Sequence, residues 1–179
     1  MRRRLVLALP LAALAACADP AAEQLLGFGD PVRAASLAAP SMLGDTARLA
    51  GRPSEAALAA VQLEVLTEGF QTDPRWNIEA SITVLNATRL GRAEMRQTIG
   101  IAPDAPSDLV IGSLREASAA LDAGSVARAE AALTGPAFPL GGPATLRRLA
   151  SLPHLPRVAE AAGAAAVEIR RRDGGMRRG

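Results

Sequence analysis

Between residues 53 and 70 apolar side chains recur every three or four positions, with Leu58, Val61 and Val65 on one ridge and Leu63, Leu66 and Phe70 beside it. A stripe that wide at a 3.6-residue period predicts a central, well-buried helix, opened by Pro53-Ser54-Glu55. Upstream, Asp30-Pro31 reads as an N-cap followed by proline at the first helical position, predicting a short helix over 31–39. Pro40-Ser41 breaks that helix, and a second short one fits 42–50 before Gly51. Downstream, Asp73-Pro74 opens a helix carrying Ile78, Ile82 and Leu85, then Leu90, Met95 and Ile99, with Gly91 as a point of bending or division.

The proline-rich stretch 102–106 is a loop. Ser107-Asp108 then caps a helix with Val110, Leu114, Ala117 and Leu121 on one face, and Asp122-Ala123-Gly124-Ser125 turns the chain into a partner helix with Val126, Ala129 and Leu133. Small Ala side chains let two helices approach closely and Gly relieves the turn, so a helical hairpin is expected here. Residues 119–133 look like the interhelix turn of a tetratricopeptide-type hairpin, but no second copy follows at that family's period of about 34 residues. After a Pro- and Gly-rich loop over 134–143 come a short helix over 145–152, the interruption Pro153-His154-Leu155-Pro156, and a last helix over 156–171. No stretch alternates long enough for a strand; 81–85 comes nearest and fits a helical ridge equally well. The expected fold is all-α, a compact bundle of six to eight helices built from helical hairpins.

Composition bears on the core. There are 40 Ala against four aromatics (Phe28, Phe70, Phe138 and Trp76), so the helices can pack closely or leave space between them. One Cys and one His exclude a disulfide framework and a Cys/His zinc site. All 20 basic residues are Arg, three in the first four positions and five in the last ten. Between residues 18 and 169 stand 12 Arg against 17 acids, a formal charge of −5, so the apparent basicity is terminal and nucleic-acid binding is not expected.

The chain opens Met1-Arg2-Arg3-Arg4 and runs uncharged from Leu5 to Ala16, a basic n-region before twelve apolar residues. That is shorter than the roughly 20 residues a spanning helix needs. It ends in Leu14-Ala15-Ala16-Cys17, which resembles the lipobox of bacterial lipoproteins. The resemblance covers residues 1–17 only. It implies that the Cys17 thiol receives a diacylglycerol, that the signal is cut before Cys17, and that the new amino terminus is acylated. The small residues before Cys17 give a peptidase access to extended backbone; the other reading is an ordinary secretory signal that leaves a free thiol. The domain plan that follows is a signal helix over 1–16, a lipidated tether over 17–30, a helical domain over 31–172 and a flexible basic tail over 173–179. The location implied is the bacterial cell envelope, facing the periplasm. Ala18, standing where aspartate resembles an inner-membrane retention signal, favours the outer membrane.

Candidate chemistry is sparse. His154 stands alone between prolines, without the adjacent Ser or carboxylate of a nucleophilic site. Glu64 and Glu68, one turn apart, read as a solvated helix face, and Trp76 as a plug between helix ends. No phosphate loop and no oxygen-ligand calcium loop is present, and no cofactor is expected. Arg89, Arg92 and Arg96 line one helical face that could fork onto an anion or partner. Arg170, Arg171 and Arg172 begin a terminal basic cluster that could touch anionic head groups. The expected protein is therefore not an enzyme. It is a lipid-anchored interaction or structural module with the membrane and an envelope protein as partners, or else a carrier of a small apolar ligand in a cavity around Phe70, Trp76 and Met95.

Overall fold

The computed structural model describes residues 30–176; the expected signal helix, Cys17, the tether as far as Gly29, and Arg177 and Arg178 lie outside the described residues. Within them the chain forms α1 (Pro31–Leu43), a 3-10 turn (Thr46–Leu49), α2 (Pro53–Thr72), α3 (Pro74–Asn77), α4 (Ile82–Ile99), α5 (Ser107–Asp122), α6 (Val126–Ala132), α7 (Gly142–Leu149) and α8 (Pro156–Met176). The described residues are all-α, with eight α-helices and no strand. None of these helices is long and apolar enough to cross a membrane.

Helix starts follow the local chemistry. Pro31, Pro53 and Pro74 occupy first-turn positions, where the missing N–H is no loss. The Asp30 carboxylate accepts from the Val32 and Arg33 N–H groups, both at 3.1 Å. Pro40 does not break α1 as expected; the helix runs through it to Leu43, and only a 3-10 turn follows. One lost hydrogen bond near the helix end is offset by packing, since Ala35, Ser36, Ala39 and Leu43 are all buried.

Helix α2 is the core of the bundle and packs on α1, α4 and α5, while α8 returns to cover both α1 and α4. Leu63, Leu66 and Phe70 are fully buried as anticipated, but Leu58 faces solvent. The apolar stripe expected downstream holds at Met95 and Ile99 but not at Ile78, Ile82 and Leu90. Ile78 and Ile82 are 79% and 69% exposed, and the buried face of α4 is Val84, Ala87, Thr88, Gly91, Met95, Arg96 and Ile99. The cause is close approach: a Cβ placed on Gly91 would lie 2.9 Å from both the Ala161 Cβ and the Arg157 carbonyl oxygen on α8. Gly91 therefore admits a neighbour and does not divide the helix. The segment expected to be one helix from Asp73 is instead split near Ile78–Ser81, where Ser81 caps α4.

The hairpin α5–α6 forms with its turn at Ala123-Gly124-Ser125, Gly124 taking a φ of +72°. Its cap differs from expectation: Pro106 holds the N-cap position of α5, and the Ser107 hydroxyl turns into a buried polar cluster. The last helix runs past Arg171, through Asp173 to Met176. Arg33 on α1 donates to both Asp173 carboxylate oxygens, at 2.8 and 3.0 Å, across 140 positions of sequence.

Candidate functional site

The Glu64–Glu68 face is not simply solvated: Glu64 is 3% exposed and Arg96 4%. Arg96 forks onto Glu64, Nε to Oε1 at 2.6 Å and Nη2 to Oε2 at 2.8 Å. Its remaining donors reach the Ser107 hydroxyl at 3.3 Å and the carbonyls of Pro103 and Ala105, each at 2.9 Å. Ser107 in turn donates to Glu64 Oε2 at 3.0 Å. All five guanidinium N–H groups thus have acceptors, which is the condition under which a buried charge pair is tolerated. The cluster joins α2, α4, the following loop and the start of α5.

Arg92, one turn earlier, donates to Ser107 at 3.1 Å and stands 3.6 Å from Glu68, which is half-exposed. Arg89 reaches only Asn86, at 3.1 Å. The three arginines do share a helix face, but Arg96 is committed to structure while Arg89 and Arg92 keep free donors. They line a cleft of about 560 Å³ between α4 and the loop that follows it.

The second basic cluster is built into the bundle as well. Glu168, 2% exposed, accepts from Arg171 Nη2 at 2.6 Å and from Arg172 Nε at 3.2 Å. Arg172 also donates to the carbonyls of Arg75 and Trp76 and lies 4.7 Å over the indole ring. Trp76 is buried as a plug: Phe70 meets it edge-on at 5.9 Å, and its N–H donates to the Asp30 carboxylate at 3.0 Å. Arg170 is exposed. Phe70 and Met95, expected around a ligand cavity, are buried in the core.

Burial pushes the Glu168 carboxyl up, but hydrogen bonds from Arg171, Arg172 and Ser81 outweigh it and hold the group below the usual carboxylate range. Asp73 is likewise held low, chiefly by its side-chain hydrogen bond from Arg75. A carboxyl with a lowered folded pKa contributes stability that is present above its unfolded value, near 4.5 for Glu168, and lost as pH falls through the folded value. The urea midpoint is expected to decline below about pH 4.5. Glu168→Gln should lower the midpoint at neutral pH and flatten that decline; an unchanged slope would show that Glu168 does not cause it.

His154 Nδ1 lies 3.2 Å from Asp45, both half-exposed, in a surface pair beside the 3-10 turn. Among the described residues no three His, Cys, Asp or Glu stand close enough to hold a metal ion. Compared with known proteins, the chain matches no family model, no curated sequence and no solved structure.

Proposed function

We propose that the chain is a bacterial envelope lipoprotein, anchored through acylated Cys17, whose helical domain serves as a non-catalytic interaction or structural module facing the periplasm. One observation carries this reading: Leu14-Ala15-Ala16-Cys17, closing a basic and then apolar leader, places the only Cys of the chain where acylation requires it. Several acyl chains anchor firmly where one does so only marginally, at about 0.8 kcal/mol per buried methylene. Asp30 stands thirteen positions after Cys17, a reach of at most about 45 Å, so the domain would work close to the bilayer. Support for a module comes from the ionisable groups: Glu64 and Arg96 join two helices, and Arg171 and Arg172, oriented by Glu168 on their own helix, donate to the carbonyls of Glu79, Arg75 and Trp76.

The test is expression of the intact chain and of Cys17→Ala in a Gram-negative host, with membrane fractionation and mass spectrometry of the mature product. The expected wild-type mass begins at Cys17 and includes acyl chains, with the protein in the outer-membrane fraction; the variant should lack both. A soluble, unacylated wild-type product would overturn the anchor, and crosslinking at the membrane should capture a discrete envelope partner.

A further inference from the structure

The cleft beside α4 combines two kinds of wall. Arg89 and Arg92 stand at its rim one helical turn apart, Arg96 lies beneath them, and Ala93, Ile101 and Pro103 supply apolar surface. At about 560 Å³ it falls within the range of small-molecule sites. Its two rim cations differ from Arg96 in what they have left to give. Arg92 makes one hydrogen bond, to Ser107, and stands 3.6 Å from half-exposed Glu68 and 3.9 Å from buried Glu64, so its remaining N–H groups donate to no one among the described residues. Arg89 bonds only to Asn86 and has no ion-pair partner among the described residues.

The apolar wall is held in advance of any ligand. Arg96 binds the carbonyls of Pro103 and Ala105 from below, and Ile101 N–H donates to the Arg96 carbonyl at 2.8 Å. A wall fixed in this way loses little entropy when something settles against it. We infer that the cleft binds a small amphiphile with an anionic head: a carboxylate or phosphate taken by Arg89 and Arg92, and an apolar body lying against Ala93, Ile101 and Pro103. A bare phosphate would leave most of the volume empty, and an uncharged apolar molecule would leave the remaining N–H donors of Arg89 and Arg92 unused. The inference concerns the helical domain alone and is independent of acylation at Cys17.

Octyl phosphate and octanoate, kept below their micelle concentrations, are titrated calorimetrically into the full chain carrying Cys17→Ala. Arginine Nε–H resonances locate the site. Saturable binding with a Kd on the order of 0.1 mM is expected, with shifts at Arg89 and Arg92. Inorganic phosphate should bind at least about tenfold more weakly, and Arg89→Gln should weaken octyl phosphate by about tenfold with an unchanged melting temperature. Arg128→Gln, on exposed α6 surface, should bind as wild type. No saturation at roughly a hundredfold above the expected Kd would overturn the site. Phosphate binding as tightly as octyl phosphate would overturn the amphiphile, and an Arg89→Gln chain binding normally would overturn the assignment to this cleft. Sedimentation with phosphatidylglycerol but not phosphatidylcholine vesicles, lost in Arg89→Gln, would assign the head to a bilayer lipid; binding of the soluble amphiphiles alone would assign it to a free one.

Discussion

Arg96→Ala is expected to lower the unfolding free energy by about 3–5 kcal/mol, measured by urea denaturation at neutral pH. The loss is large because the substitution leaves the buried Glu64 carboxyl with one hydrogen bond, from Ser107, and the more distant Arg92 at 3.9 Å, and frees the carbonyls of Pro103 and Ala105. Domains of this size have only about 5–15 kcal/mol to lose, so the variant should sit near the edge of folding. The paired replacement Glu64→Leu with Arg96→Met distinguishes an uncompensated charge from lost packing. Removing both charges together should recover most of the loss, because a hydrophobic pair of similar volume costs little. A single-variant effect under about 1 kcal/mol would mean that water reaches the pair and that it behaves as a surface bridge.

Gly142→Ala should destabilise by about 3 kcal/mol, while the same substitution at Gly112 should stabilise by about 0.5–1 kcal/mol. At Gly142 an added Cβ would fall 1.9 Å from the Glu130 carbonyl oxygen and 2.6 Å from its carbon. That neighbour is backbone, and it cannot retreat easily because Ala129 and Leu133 hold α6 in the core on either side of it. Gly112, inside α5, has nothing within 4 Å of an added Cβ, so only its backbone entropy changes. Thermal melts of the two variants should move in opposite directions; equal shifts would deny that α6 and α7 are in backbone contact.

The elements that sequence predicted well are those determined within a few residues. Asp30-Pro31, Pro53 and the Ala123-Gly124-Ser125 turn act through their own backbone geometry, and each marks an observed boundary. What escaped is determined by partners far along the chain. Ile78, Ile82 and Leu90 read as a core stripe because they are large and apolar. The close approach of α8 at Ala161 instead selects the small or slim residues Ala87, Thr88 and Gly91, and the large ones remain outside. Ser107 and Pro106 show the same limit: a serine at a helix start is a good cap until a buried carboxylate 43 positions away accepts its hydroxyl instead. Glu64 and Glu68, one turn apart, are chemically identical in sequence, and only the placement of Arg96 puts one in the core and leaves the other half-exposed. The arginine faces were legible as basic, but not the division of labour within them, by which Arg96, Arg171 and Arg172 are structural and Arg89 and Arg92 still have donors to offer.

The contact of α1 with α8, clasped by Arg33 and Asp173, also sets an order of events. A polypeptide emerges amino end first, so the sides of α1 and α4 that meet α8 stay bare until α8 is made, although both helices already have α2 to pack on. The α5–α6 hairpin is local in sequence and forms early, but the bundle cannot close before α8 has been made. A chain interrupted before that moment would keep its α2 contacts yet show the bare flanks of α1 and α4 to any other apolar surface nearby.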